Sequence, residues 1–150
     1  MITREALPAD IAEMHCIRMA VKENALSNPM LITEADYTEY LTTRGKGWVA
    51  ILNNDMAGFA IVDLQNSKIW ALFVHPDFEK NGVGTNLQKA MLNWYFSKTG
   101  KTVWLSTSPA TKAETFYQKT GWCNCGLLQN GETKFEMTRE NWRNSQPAAF

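Results

Sequence analysis

The chain has 150 residues, 45% of them hydrophobic, and fifteen basic residues balance fifteen acidic ones. That length and composition suit one compact soluble domain with a real core, and the even charge offers no global attraction to nucleic acid or to an anionic membrane. No apolar run approaches the roughly 20 residues of a membrane span, and the N-terminal Met-Ile-Thr-Arg-Glu-Ala lacks the apolar stretch of a signal peptide, so a cytoplasmic location is expected.

In chain order, residues 2–5 read as a short strand. Pro8 suits a helix start, and Ile11, Met14, Ile17 and Val21 recur at helical spacing to about Lys22. Residues 24–29 read as a loop. Thr33-Glu34-Ala35-Asp36 has the form of a capping box opening a second helix, with Tyr37, Tyr40 and Leu41 on one face; residues 44–47 end it. Two strands over 48–52 and 56–64 are joined by a hairpin at Asn53-Asn54-Asp55. Gln65-Asn66-Ser67 turns the chain into a third long strand, 68–74.

A long helix is expected over 85–98, with Val83, Leu87, Ala90, Met91 and Trp94 inward and Gly100 as its stop. Residues 102–107 form another strand. Thr111-Lys112-Ala113-Glu114 is a second capping-box match, opening a short helix that ends before Gly121. Strands over 122–128 and 134–138 close the chain about Asn130-Gly131. The domain thus covers 1–140, and 141–150 is a tail with no clear pattern, the kind of terminus that is often left disordered. The order is β-α-α-β-β-β-α-β-α-β-β. This is a mixed α/β chain in which an antiparallel meander leads into one helical crossover, with no internal repeat.

The cysteines are Cys16, Cys123 and Cys125. An odd count with a Cys-x-Cys spacing argues against a disulfide framework. Without a second pair or a nearby histidine it also makes a poor metal site. Reduced, structural cysteines and no metal are expected.

The most informative stretch is residues 70–84, Trp-Ala-Leu-Phe-Val-His-Pro-Asp-Phe-Glu-Lys-Asn-Gly-Val-Gly. A buried strand stops at His75-Pro76-Asp77, a short glycine-bearing loop follows, and a helix begins. Strand, tight loop and helix N-terminus make an anion site, because backbone N–H groups converge there and the helix dipole favours negative charge. Gly82 and Gly84 let the backbone approach a phosphate with no Cβ in the way, and local positive charge must assist. A P-loop would need G-x-x-x-x-G-K-[ST], which is missing. A dinucleotide site would need glycine where Leu87 stands and an acidic residue where the next strand ends Ser106-Thr107-Ser108. Taken alone, the loop is also compatible with a bare strand-to-helix turn that binds nothing.

The loop has company. Residues 70–84 resemble motif A of the GNAT superfamily of acyl-CoA-dependent N-acyltransferases: an apolar strand, V-x-P, then [QR]-x-x-G-x-[GA] and a helix. Phe116-Tyr117-Gln118-Lys119-Thr120-Gly121-Trp122 is similar to the family's late F-Y-x-K-x-G-F segment. The element order agrees over roughly residues 2–138. The resemblance implies a central, mostly antiparallel sheet with splayed middle strands flanked by helices. Two departures stand out. Glu79 occupies the [QR] position and would repel a pyrophosphate if it faced inward, leaving Lys80 to supply the charge. Ala110 stands where many members have an asparagine touching the pantetheine arm.

What the resemblance implies about function is direct transfer of an acetyl group from acetyl-CoA, a co-substrate, to an acceptor amine. Leu72, Phe73 and Val74 would hydrogen-bond the pantetheine arm through their backbones, and the Val74 N–H would polarise the thioester carbonyl. Lys80, Asn81, Gly82, Val83, Gly84 and Thr85 would hold the phosphates. Tyr117 would act as the acid that protonates the departing thiolate; without the motif it reads as a packing residue beside Phe116. No base stands out among Asp63, His75, Glu34 and Asp36. Trp48, Trp70, Phe73 and Trp104 read either as an aromatic wall for the acceptor or as plain core, and residues 24–30 as a lid. A small-molecule amine is the expected acceptor, with no nucleic acid or membrane partner. Dimerisation is frequent in the family through late strands, and 122–128 is the strand that could do so here. The alternatives are a non-catalytic acyl-CoA-binding module and an interaction domain that keeps the fold alone.

Overall fold

The computed structural model describes residues 1–21 and 32–146. The loop expected over 24–29, the lid over 24–30 and the last tail residues, 147–150, lie outside the described residues. The chain forms two compact units, Met1–Tyr95 and Phe96–Phe150.

The first unit contains β1 (Ile2–Glu5), α1 (Ile11–Ala20), α2 (Glu34–Glu39), β2 (Gly45–Leu52), β3 (Asp55–Asp63), β4 (Lys68–Val74) and most of α3 (Val83–Lys98). β1 to β4 pair in sequence order, each antiparallel to the next. Local chemistry explains most of these boundaries. Asp10 accepts the Leu7 N–H at 2.8 Å and takes both terminal nitrogens of Arg4 at 2.9 Å, fixing the entry to α1. Thr33 and Asp36 form the reciprocal capping box that opens α2, with bonds of 3.2 and 2.8 Å. Asn53 and Asn54 have φ of 54° and 68°, the paired left-handed conformation that two-residue hairpin turns require.

Some boundaries differ from expectation. Residues 45–47, expected to end the second helix, belong to β2. Gly45 and Gly47 are there for close approach: a Cβ would lie 1.7 Å from the Val62 carbonyl oxygen at the first and 2.5 Å from the Leu41 side chain at the second. Similarly, α3 begins at Val83, two residues early, because Val83 is buried and anchors the first turn.

Successive strand residues face opposite sides of a sheet. On one side, Val49, Phe59, Ile61 and Ala71 pack against Met14 and Ile17 of α1 and Tyr37 of α2. Full burial of such side chains contributes roughly 1.5–3 kcal/mol each. On the other side, Val83 and Leu87 of α3 close over Gly58, where an added Cβ would meet them at 3.0 and 3.1 Å. Trp48 meets Trp94 there, ring centroids 5.7 Å apart.

The second unit holds the end of α3, β5 (Val103–Thr107), α4 (Lys112–Lys119), β6 (Cys123–Leu127), β7 (Thr133–Met137) and α5 (Arg139–Ser145). β7 pairs antiparallel with both β5 and β6. Thr111 caps α4 by accepting the Glu114 N–H at 3.2 Å. The reciprocal half of the expected box does not form: the Glu114 carboxylate instead accepts the Thr133 hydroxyl at 2.7 Å and the Ala110 N–H at 3.2 Å. The tail is corrected too. Residues 141–145 belong to α5, which Thr138 caps by accepting the Asn141 N–H at 3.1 Å and which buries Trp142. The described residues form seven strands, mostly antiparallel, flanked by helices, and the chain is of mixed α/β class. Among the described residues, no helix is long and apolar enough to cross a membrane.

Candidate acyl-carrier loop and its flanking face

β4 is held against β3 in a register that sorts its backbone groups. The His75 N–H donates to the Ala57 carbonyl at 2.8 Å, so His75 opposite Ala57 is a hydrogen-bonded position. In an antiparallel ladder such positions alternate, and the next is Phe73 opposite Phe59. Val74 opposite Gly58 and Leu72 opposite Ala60 are therefore the non-bonded pairs. Of the three strand residues singled out from sequence, Phe73 spends its backbone groups on β3. Leu72 and Val74 turn theirs away from it. The close approach of the Phe73 carbonyl oxygen to Gly58, 2.6 Å from where a Cβ would sit, agrees with this sorting.

The loop after β4 is built to expose its backbone. Lys80 has φ of 66° and Gly82 of 76°, two left-handed residues around Asn81. A non-glycine residue in that region costs roughly 1–2 kcal/mol, so the Lys80 conformation is imposed by its surroundings. The Asn81 carboxamide donates to the Phe78 and Glu79 carbonyls, 3.1 Å each, and holds the turn from inside. Lys80, Asn81, Gly82 and Thr85 are exposed while Val83 is buried. An α-helix leaves its first four N–H groups without intrahelical partners, and those of α3 emerge here. The open space around Gly82, where an added Cβ would meet nothing nearer than 4.0 Å, suits an anion such as a pyrophosphate. Glu79 is exposed at the loop entrance with extended backbone.

On the α1 side of β4, a bulge reorders the side chains. Ile61 pairs with Ala71 but Val62 pairs with Ile69, leaving Trp70 as the extra residue on β4. Trp70 therefore packs on the same side as Ala71 and Phe73. Between the Trp70 and Phe73 rings sits the Arg18 guanidinium, 4.8 and 4.7 Å from their centroids. Arg18 is 5% exposed, and its Nε donates to the Tyr37 hydroxyl at 3.1 Å. That hydroxyl also lies 2.9 Å from His15 Nδ1. Tyr40 stacks on the outer face of Trp70 at 4.2 Å, with the Arg44 guanidinium 5.2 Å beyond it. Burial lowers the Arg18 pKa, opposed by its bond to Tyr37, and burial raises that of Tyr37. Sequence reading missed His15, Arg18 and Tyr37 as a group. The signal was available, since His15 and Arg18 are three apart on α1 beside the inward residues Met14 and Ile17.

The other expected residues separate. Of the three aromatics in the first unit, Trp70 and Phe73 share a face. Trp48 packs on the opposite side with Trp94, and Trp104 lies in the second unit, 5.3 Å below the Lys134 ammonium. Asp63 closes β3. It is 2% exposed, receives Arg44 at 3.0 Å, and accepts the Asn66 backbone and side-chain N–H groups. Asp36 is engaged in the α2 cap, and Glu34 is exposed on the first turn of α2. His75 caps the short turn after β4, its Nδ1 accepting the Asp77 N–H at 3.0 Å.

In the second unit, Tyr117 is buried on α4 among Phe116, Trp122 and Phe135, ring centroids 5.3–5.7 Å away. Burial raises its pKa well above the usual phenol range, so the phenol stays neutral at physiological pH. Among the described residues, no group of three or more His, Cys, Asp or Glu side chains is arranged to hold a metal ion.

A model described as the acetyltransferase (GNAT) family matches residues 11–122. No curated protein matches the chain. Solved structures do. The chain is similar to the GCN5-related N-acetyltransferase from Rhodopseudomonas palustris, with 23% identity, TM-score 0.74, and coverage of 91% of this chain and 94% of that one. It is similar to the ribosomal-protein-S18-alanine N-acetyltransferase from Escherichia coli, with 18% identity, TM-score 0.69, and coverage of 91% and 90%. It is also similar to the PaiA N-acetyltransferase from Thermoplasma acidophilum, which was solved in complex with coenzyme A, with 12% identity, TM-score 0.76, and coverage of 91% and 98%. At these identities the structural likeness concerns the fold.

Proposed function

Because the chain belongs to the GNAT family of acetyltransferases, and so is an acyltransferase, we propose that it moves an acetyl group from acetyl-CoA to a primary amine by direct attack. The acceptor we favour is a small molecule, with a peptide N-terminus as the other form such an amine takes. The observation that carries the reading is the backbone arrangement at residues 72–85. Leu72 and Val74 turn their polar groups away from β3, and a few residues later a left-handed loop opens onto the start of α3. A donor preset where negative charge develops is usually the largest catalytic contribution, and the Val74 N–H fills that role toward the thioester carbonyl. Lys80, Asn81, Gly82, Val83, Gly84 and Thr85 supply the phosphate-binding amides, and the Lys80 ammonium adds charge. Phe73 keeps β4 in register.

Tyr117 is the acid for the departing thiolate. A phenol held neutral has a proton to give at pH 7. The Tyr117→Phe variant is expected to lower kcat ten-fold or more with little change in acetyl-CoA affinity; an unchanged kcat removes Tyr117 from the mechanism. An alkyl amine with a pKa near 10.4 costs about 4–5 kcal/mol to present as the free base at pH 7, so the acceptor amine must shed a proton before attack.

A thermal-shift titration with acetyl-CoA tests the reading, with adenosine diphosphate and a nicotinamide dinucleotide as controls. At 100 times Kd, ligand stabilises by about 2.7 kcal/mol, a shift of roughly 5–10 °C at this size. Turnover on an amine panel then follows. Glu79 favours one second reading, a non-catalytic acyl-CoA-binding module: its carboxylate stands at the loop entrance, where it opposes phosphate charge. Binding without turnover on any amine selects that module, and no shift at millimolar ligand overturns both.

A further inference from the structure

Cys123 and Cys125 have no part in acyl transfer, yet their surroundings are specific. Both are free and exposed. β6 lies at the outside of the β5-β7-β6 set, and all five of its residues face solvent. Cys123 stands opposite Glu136 of β7, and the pairing then slips between Asn124 and Leu127. Gly126, with φ of 90°, sits within the slip. In a regular strand, residues two apart have Cα atoms about 6.6–6.8 Å apart, at the upper limit of what a disulfide spans. Here the slip turns Cys125 back, so that its Sγ lies 3.6 Å from the Cys123 carbonyl oxygen and 3.1 Å from Glu136 Oε1. Glu136 thus adjoins both cysteines: its carboxylate accepts from the Cys125 thiol, and its backbone position pairs with Cys123, whose thiol is directed at the Asn124 carbonyl 4.0 Å away. The other Glu136 carboxylate oxygen faces the Lys134 ammonium at 3.7 Å.

We propose that Cys123 and Cys125 form a dithiol modification site that closes to an intramolecular disulfide by exchange with low-molecular-weight disulfides of the glutathione class, and that Glu136 restrains the closure. The Cys123 thiol loses its proton to solvent, and the thiolate attacks one sulfur of the small disulfide, expelling a small thiolate and leaving a mixed disulfide on Cys123. The Cys125 thiol then loses its proton to solvent, and its sulfur attacks that of Cys123 and expels the second small thiolate. Two protein thiols are oxidised and one small disulfide is reduced to two thiols. The restraint acts on the second step. The Cys125 S–H donates to the Glu136 carboxylate, and this bond first, with burial and the neighbouring charge adding to it, pushes the thiol up to about 11. Because the thiolate is the nucleophile, the dithiol stays reduced until oxidant is abundant.

The test uses the full chain carrying Cys16→Ser, to silence the third thiol, reduced and then incubated with oxidised glutathione. Intact mass is followed with time and the peptides are mapped. The expected product is two hydrogens lighter and carries a Cys123–Cys125 link, while adding Cys125→Ser halts the reaction at one glutathionyl group on Cys123. Glu136→Gln is expected to speed ring closure by about three-fold for each pKa unit released, since thiolate fraction gains ten-fold and nucleophilicity loses part of it. A persistent glutathionyl adduct on the Cys16→Ser protein, or no mass change, overturns the dithiol site. Closure that Glu136→Gln leaves unchanged or slows overturns the restraint.

Discussion

The loop after β4 and the face beside it lie within a few residues of each other and are built on opposite plans. The loop offers backbone: its side chains point to solvent or, like Asn81, turn inward to hold the turn. The α1 face offers side chains, with Arg18 set between Trp70 and Phe73 and bonded to Tyr37. A site made of backbone survives side-chain exchange as long as the main chain keeps its path. A site made of interlocked side chains does not. The contrast explains how Glu79 can replace the family's usual residue without dismantling the loop.

The largest effect should come from breaking the side-chain plan. Arg18→Ala leaves the Tyr37 hydroxyl short of a donor and empties the space between two rings, for an expected loss of about 3 kcal/mol and a Tm drop of roughly 6–12 °C by calorimetry. Arg18→Met keeps the stem in place and should lose much less, since apolar replacement of a buried charge is often near neutral. Equal losses in the two variants would mean that the guanidinium itself is required. Gly58→Ala comes next. Its Cβ would strike the Phe73 carbonyl, so destabilisation of about 1–3 kcal/mol is expected, together with weaker acetyl-CoA binding by titration calorimetry. Unchanged affinity would separate the register of β4 from ligand binding.

The tyrosines supply a pH test. Tyr37, Tyr40, Tyr95 and Tyr117 all have raised pKa values, with burial as the first cause in each. A raised folded-state pKa gives stability that is complete below the unfolded value, about 10, and that is lost as pH climbs above it. Denaturant midpoints should therefore fall above about pH 10, and Tyr117→Phe should flatten that decline; an identical decline would mean that Tyr117 is not among the groups responsible. The smallest effect belongs to the backbone plan. Glu79→Gln should tighten acetyl-CoA binding by no more than about five-fold, the scale of an exposed charge contact. A larger gain would show that the carboxylate reaches the phosphates.

Much of the first unit was legible in sequence because local chemistry and tertiary packing agree there. The capping box at Thr33 and Asp36, the Asn53-Asn54 hairpin and the strand at 68–74 all stand where their residues suggest. Gly45 and Gly47 misled because glycine usually weakens a strand, whereas here it permits contact with Val62 and Leu41. Glu114 fitted the capping pattern but was drawn to Thr133, a partner that only the fold provides. α5 was missed because it is short and rests on one buried tryptophan. The seat of Arg18 between Trp70 and Phe73 was hidden by a bulge: plain alternation points Trp70 away from Phe73, and nothing in the residue types announces the extra residue at 70.

The inward turn of Asn81 has a kinetic consequence. With its carboxamide already tying down the Phe78 and Glu79 carbonyls and Val83 already seated in the core, the loop has little left to order when a ligand arrives. On the proposed reading, acetyl-CoA association requires no folding of this loop, and its rate is set by encounter, because the opposite charges of Lys80 and Glu79 nearly cancel.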